Sequence, residues 1–190
     1  LSGISSPGSG QSIQPGWQLN NRVIADNREF KNTFQIPQTF FGINAEGYGT
    51  LHWDSAGFAA LGANYFHEFG SGFNSELLNP VAFIQIKTGK VAFRGGAMPR
   101  QITQDYPRFL IRDSIKYFRP TMEGLTASIE TKLGKQNLWI DWTSRQSDKK
   151  REIFVLGASG KMQFREWFFK HGFIMHHLAG TRDPQDDEPL

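Results

Sequence analysis

Residues 42–61 read Gly42-Ile-Asn-Ala-Glu-Gly-Tyr-Gly-Thr-Leu-His-Trp53, then Asp54-Ser-Ala-Gly57, then Phe58-Ala-Ala-Leu61. Up to Trp53, apolar or small residues occupy every second position and polar residues occupy the positions between them. A period of two residues is typical of a β-strand, whose side chains point alternately to its two faces. The Asp-Ser-Ala-Gly segment is turn-forming, and the alternation resumes after it. This stretch therefore predicts a β-hairpin.

The same pattern recurs along the rest of the chain. Residues 17–30 form a weak strand before the first hairpin. Three further hairpins pair residues 80–87 with 91–98, 125–132 with 137–143, and 151–156 with 163–178, the last with its turn near Ala158 to Lys161. The fold class predicted is all-β, an antiparallel up-and-down meander of about 8–9 strands.

The segments around these strands complete the predicted organisation. Residues 1–16 are rich in Ser, Gly and Pro and are expected to be a flexible lead-in, because they hold little apolar surface to bury. Residues 17–180 are predicted to hold the strands and their external loops, of which 99–123 is the longest. Residues 181–190 are acidic and are expected to be a loop or a truncated tail.

Composition narrows the functional classes. The net charge is only +3 and the basic residues are scattered, so nucleic-acid binding is not expected. The chain contains no cysteine, which excludes disulfides and thiolate metal sites. No apolar run reaches the length of a membrane helix.

The connections between the predicted strands alternate strictly between short and long. A transmembrane β-barrel has this property, because its periplasmic turns are short and its external loops are long. We therefore predict part of a transmembrane β-barrel in the bacterial outer membrane. Bacterial single-chain barrels have even strand numbers, so a count of nine predicts further strands downstream.

Aromatic side chains near the strand ends favour the membrane interpretation over a soluble β-sandwich with one polar face, since interfacial girdles of a barrel require them there. The predicted girdle consists of Trp53, Tyr65, Phe69, Trp142 and Trp167.

Six short segments, in order, resemble a family of uncharacterised outer-membrane β-barrel proteins of Bacteroidetes-type bacteria. They are Asp26-Asn-Arg-Glu-Phe30, Ile36-Pro-Gln-Thr39, Met98-Pro-Arg100, Asp105-Tyr-Pro-Arg108, Asp113-Ser-Ile-Lys-Tyr-Phe-Arg-Pro120 with Glu123-Gly124, and Trp139-Ile-Asp-Trp142. The resemblance implies a porin-like barrel of unassigned substrate, and it supplies no catalytic residues.

Charged residues on the predicted polar face and in the long insertion are candidates for a pore lumen or constriction. They are Arg94, Arg100, Arg108, Arg119, Glu46, Glu130 and Asp141. Arginine gives bidentate contacts to anionic solutes. Two interpretations of the insertion stay open, a constriction folded into the lumen and a surface loop shaped by its prolines.

No catalytic or metal site is predicted. His176 and His177 are adjacent, so in a strand they point to opposite faces and cannot chelate one metal together. We find no nucleophile elbow, phosphate loop or zinc signature. The expectation is a protein without enzymatic activity or cofactor.

The predicted function is a porin-like channel or solute-uptake barrel. Its expected partners are outer-membrane lipid and small solutes, while the oligomeric state and the solute stay open. Two alternatives stay open, a soluble all-β glycan-binding module that uses exposed Trp and Tyr, and a barrel enzyme of the cell envelope.

Overall fold

The computed structural model describes residues 13–29, 31, 38–103, 115–148 and 150–180. These residues form one nine-stranded antiparallel sheet in which every strand pairs with its neighbours in sequence, so the predicted all-β meander is confirmed. The strands are β1 (Ile13–Arg28), β2 (Gln38–Trp53), β3 (Gly57–Glu68), β4 (Leu78–Thr88), β5 (Val91–Pro99), β6 (Thr121–Thr131), β7 (Gly134–Ser144), β8 (Ile153–Phe164) and β9 (Trp167–Leu178). No helix in this part of the chain is long and apolar enough to cross a membrane.

The two ends of the sheet differ in the length of their connections. At one end, here called the turn end, the strands are joined by residues 54–56, 89–90, 132–133 and 165–166. At the other, the loop end, the connections are residues 29–37, 69–77, 100–120 and 145–152. The longest contains the short helices α1 (Arg100–Thr103) and α2 (Ile115–Phe118). The alternation seen in the sequence is therefore present in the fold.

Three predicted boundaries shift. Strand β1 begins at Ile13, so residues 13–16 of the expected lead-in are strand, and the longest connection spans 100–120 rather than 99–123. The predicted turn near Ala158 to Lys161 is wrong, because the chain turns at Arg165 and Glu166. Residues 157–160 are small but belong to β8. At the actual turn, Arg165 takes the left-handed backbone conformation, with φ 53°, which residues with a side chain seldom adopt. Residues 181–190 lie outside the described part.

The sheet is not closed. Its edge strands are β1 and β9, and both run from the turn end to the loop end. Two strands that run in the same direction cannot join in an antiparallel pair. The predicted meander is thus present, while the fold leaves the transmembrane barrel undecided.

The two faces of the sheet have opposite character. One, here called the inner face, carries the buried cluster, which includes Tyr48, Val81, Phe83 and Trp139. The other, the outer face, carries exposed apolar side chains such as Leu61. The burial is concentrated on the inner face of strands β2 to β8, whereas most inner-face side chains of the edge strands β1 and β9 are at least partly exposed.

Substituting Gly157 with alanine is expected to destabilise the sheet by about 1–3 kcal/mol, because overpacking forces neighbouring side chains to move. A Cβ on Gly157 would overlap the indole ring of Trp139, its register partner on the neighbouring strand β7. Gly49→Ala is the matched control, since a Cβ there comes no closer than 3.9 Å to another atom. Urea unfolding of the protein measures both, and equal midpoints would contradict the close packing of Trp139.

Candidate functional site

Hydrogen-bonded polar side chains lie at the loop end of β1 and β2, in a group that we call the β1–β2 mouth. Thr39 Oγ1 donates to Asn27 Oδ1 at 2.9 Å, and Asn27 Nδ2 donates to Glu29 Oε1 at 3.3 Å. Asp26 and Arg28 form an exposed ion pair of 2.7 Å beside them. Asn27 and Thr39 are direct register partners and project on the outer face. Asp26 and Arg28 alternate with Asn27 along β1 and project on the inner face. The mouth therefore places a hydroxyl, an amide and the Glu29 carboxylate beside the exposed apolar face.

A buried ion pair anchors the start of the long connection to the inner face. Arg100 Nη1 lies 2.7 Å from Asp141 Oδ2, and each side chain is only 3% exposed. The Arg100 guanidinium also donates to the backbone carbonyls of Arg119 and Thr121, at 2.9 and 3.3 Å. Asp141 Oδ1 accepts the backbone N–H of Glu123 at 3.2 Å. Both charges are therefore paired and hydrogen-bonded, as buried charges must be.

The end of the same connection reaches across the inner face. The ring of Phe118 packs on those of Phe40 and Phe66, with centroids 5.4 and 6.2 Å apart. Next to it, Arg119 Nη2 donates to the carbonyl of Thr143 at 3.2 Å. Residues 118–119 thus connect β2 and β3 with β7.

The electrostatic surroundings of Arg119 follow from this position. Its pKa is lowered, mainly because burial disfavours the charged form. The carboxylate of Asp141 acts in the opposite direction, Arg100 lowers the pKa further, and Glu123 raises it. Arg100 and Arg119 thus both lie in the electrostatic field of the buried Asp141 carboxylate at the loop end.

A second polar network lies deeper on the inner face, between β1, β2 and β3. Asn44 and Asn64 exchange two side-chain hydrogen bonds of 2.8 and 2.9 Å. Glu46, which is 4% exposed, accepts from Asn20 at 2.7 Å and from Asn64 at 3.5 Å. Both carboxylate oxygens are engaged, so this network joins strands and offers no free base.

The predicted lumen residues do not form one cluster. Arg100, Arg119 and Asp141 come together at the loop end, whereas Glu46 lies in the amide network. Arg94 Nε donates to Gln85 Oε1 at 2.6 Å on the inner face. Glu130 is exposed near the turn end, and Arg108 lies outside the described residues.

The predicted girdle residues occupy two levels of the outer face. Tyr65, Phe69 and Trp142 lie near the loop end, and Trp53 and Trp167 lie near the turn end. The two levels are separated by apolar side chains.

Strand β9 carries two adjacent histidines near the loop end. His176 and His177 lie opposite Val155 and Phe154 in the register, so they point to opposite faces. His177 stacks on Phe154 with a centroid distance of 4.4 Å. Within the described residues, no group of three or more His, Asp or Glu side chains is placed to hold a metal ion.

Comparison with known proteins adds the family. Residues 13–190 match the family described as lipid A 3′-O-deacylase-type. The chain belongs to the lipid A 3′-O-deacylase-type family. A search of curated proteins and a search of solved structures found no significant match. Because the family is one that modifies lipid A, the match suggests an association with the cell envelope.

The lipid A 3′-O-deacylase-type assignment overturns two predictions. The porin-like channel and the absence of enzymatic activity are both wrong, since the family name is that of an enzyme. The soluble glycan-binding alternative has no support either. The error has a physical cause, because charged side chains on the inner face of a β-sheet serve a channel and an enzyme equally well. The resemblance to a Bacteroidetes-type β-sheet family is supported, but its porin-like part is not.

Sequence reasoning missed the β1–β2 mouth as a site. Asn27 and Thr39 lie within two of the segments that carried the resemblance. Only the register of β1 against β2 places them opposite each other. The signal that could have found them is a hydroxyl and an amide residue at the facing ends of two adjacent predicted strands.

Proposed function

We propose that this chain is the barrel-forming part of an outer-membrane enzyme that hydrolyses the 3′-O-linked acyl ester of lipid A. The observation that carries the proposal is the family match over residues 13–190. Water supplies the hydroxyl of the released fatty acid and the proton of the freed 3′-hydroxyl.

The distribution of polar and apolar side chains over the two faces is the reverse of that in a soluble sheet, and this supports embedding in a membrane. Leu61 is 74% exposed on the outer face, whereas Asn64, on the inner face of the same strand, is fully buried. A soluble sheet would place the leucine inside and the amide outside. Exposed apolar surface on this scale requires an apolar partner, and the acyl chains of a bilayer supply one.

Strand length and aromatic placement agree with this embedding. The strands hold 9 to 16 residues, enough for the tilted crossing of a bilayer, which takes about 9–11. The two aromatic levels of the outer face match the girdles of membrane barrels.

The β1–β2 mouth is the proposed place of the reaction. Ester hydrolysis needs a base that takes a proton from water and donors that stabilise the oxyanion. Glu29 is the proposed base, since Asp26 projects on the opposite face. The proposed donors are the Asn27 amide and the Thr39 hydroxyl, whose proton turns from Asn27 Oδ1 to the oxyanion. An acyl chain lying along the outer face brings its ester to this boundary between apolar strands and polar loops.

Lipid A mass spectrometry tests the activity. The full-length protein is expressed in a Gram-negative host whose lipid A carries a 3′-O-linked acyl chain. The expected result is a lipid A species lighter by that acyl group. Unchanged lipid A, in cells whose outer membrane contains the folded protein, would refute the proposed activity.

A charge on the outer face tests the embedding separately. Leu61→Arg is expected to destabilise the membrane-folded protein by about 2–4 kcal/mol, because a cation near the bilayer midplane loses its hydration. Leu61→Ala is the control for lost side-chain volume. Unfolding in lipid vesicles measures both, and equal effects of the two substitutions would show that lipid does not contact Leu61.

A further inference from the structure

The β1–β2 mouth lies on a two-stranded extension of the sheet. Strand β3 pairs with β2 only from Gly42 onward. Residues 38–41 of β2 lie beyond this point, and among the described strands they pair with residues 25–28 of β1 alone, apart from one hydrogen bond from Phe69 N to the carbonyl of Phe41. An isolated pair of strands is only marginally stable. We call residues 25–28 and 38–41 the β1–β2 ribbon, and its geometry needs support from side-chain packing.

Aromatic rings support the ribbon on both faces. On the outer face, the rings of Phe41 and Phe69 meet edge to face, with centroids 4.7 Å apart. On the inner face, Phe40 stacks on Phe66 with centroids 5.2 Å apart and planes inclined by only 9°. Phe40 directly follows Thr39 in the chain, so contacts that hold the Phe40 ring also hold the backbone at Thr39.

Phe118 completes the inner cluster from a distant part of the chain. Its ring centroid lies 5.4 Å from that of Phe40 and 6.2 Å from that of Phe66, with the planes inclined by 57° and 62°. Such tilted arrangements are favoured by the quadrupoles of aromatic rings. The next residue, Arg119, donates from Nη2 to the carbonyl of Thr143 on β7 at 3.2 Å. The ribbon is therefore braced against a segment that β7 holds in place.

We propose that Phe118 is a positioning residue for lipid A deacylation. Its ring fixes Phe40, and thereby keeps the Thr39 hydroxyl 2.9 Å from the Asn27 amide on the other face of the ribbon. Phe118 lies on the inner face, so it acts on the reaction only through Phe40. A misplacement of about 1 Å in reacting groups can cost about 100-fold in rate. This inference rests on the proposed function, because it takes the mouth as the reaction site.

Deacylation kinetics of the full-length protein test the positioning. Phe118→Ala is expected to lower kcat about 10- to 100-fold with little change in KM, because the donors of the mouth stay present but lose their alignment. Phe118→Tyr should keep the wild-type rate, since it retains the ring and the side chain is 48% exposed, which gives the added hydroxyl access to water. The matched control is Phe154→Ala on β8, whose ring also contacts two others at the loop end, those of Trp142 and His177, but lies outside the ribbon.

Amide hydrogen exchange separates positioning from a general loss of stability. In Phe118→Ala, residues 38–41 are expected to exchange about 10-fold faster than in wild type, the local effect of losing an aromatic contact. Residues 43–51, which pair with both β1 and β3, should exchange at the wild-type rate. Mass spectrometry of peptides from the folded full-length protein measures both segments.

The outcomes distinguish this inference from the proposed enzyme. Unchanged exchange of residues 38–41 in Phe118→Ala overturns the positioning role, whatever the activity. An equal loss of kcat in Phe154→Ala, or a raised KM at unchanged kcat in Phe118→Ala, overturns it as well, because the effect then belongs to loop-end packing in general or to substrate binding. A wild-type protein that leaves lipid A intact, with faster exchange of residues 38–41 in Phe118→Ala, removes the enzyme proposal and supports only the bracing of the ribbon.

A second substitution keeps the test decisive if Phe118→Ala does not fold. Phe118→Leu removes the ring but retains apolar volume, and is expected to show the same pattern of lower kcat and faster exchange of residues 38–41 at smaller size. Wild-type values of both quantities in Phe118→Leu would overturn the role of the aromatic ring.

Discussion

Asp141→Ala is expected to destabilise the folded protein by about 3–5 kcal/mol, because removing one partner of a buried ion pair leaves the other charge uncompensated. Arg100 would remain buried, with a side chain only 3% exposed, and would keep its backbone carbonyl acceptors but lose its carboxylate. The Glu123 N–H would also lose its acceptor. Denaturant unfolding of the full-length protein in detergent measures the change.

The exposed ion pair of the mouth provides the control for this substitution. Asp26→Ala removes the partner of Arg28, in a pair whose side chains are 46% and 35% exposed, and is expected to cost less than about 1 kcal/mol. Similar losses for Asp141→Ala and Asp26→Ala would contradict the anchoring role of the buried pair. Replacing Arg100 and Asp141 together by Met and Leu should recover much of the stability, since apolar residues of similar volume often match a buried pair.

Thr39→Val is expected to lower the rate of lipid A deacylation about 100- to 1,000-fold, the usual cost of removing one donor from an oxyanion site. The substitution keeps the branched shape of the side chain and deletes the hydroxyl, which donates to Asn27 at 2.9 Å. The loss should appear in kcat rather than in KM, because the contact is proposed to act on the transition state. Lipid A mass spectrometry over time measures it.

A second threonine on the same strand serves as the control. Thr50→Val removes a hydroxyl that lies 3.0 Å from His52 Nε2 near the turn end. This variant should deacylate lipid A at the wild-type rate. A strong loss in Thr50→Val, with Thr39→Val unaffected, would move the site to the other end of β2.

The strand order and the two faces could be read from the amino-acid pattern. The alternation in residues 42–61 predicted the β2–β3 hairpin and its turn, because side-chain direction in a strand depends only on position, although both strands extend beyond this stretch. The short and long connections were also visible in the sequence, as the lengths of the segments between the alternating stretches. The β8–β9 turn was misplaced, since small residues near Gly157 resemble a turn until the ring of Trp139 is seen to require their size.

The partnerships between distant residues depended on the folded chain. The pairing of Arg100 with Asp141, and of Asn27 with Thr39, follows from strand register and from the path of residues 100–120 across the inner face. Lys135, Lys161 and Lys170 likewise lie side by side only because the register of β7, β8 and β9 aligns them. Local alternation determines which face a side chain occupies, but register is a contact between separate strands, so only the tertiary structure determines which side chains meet.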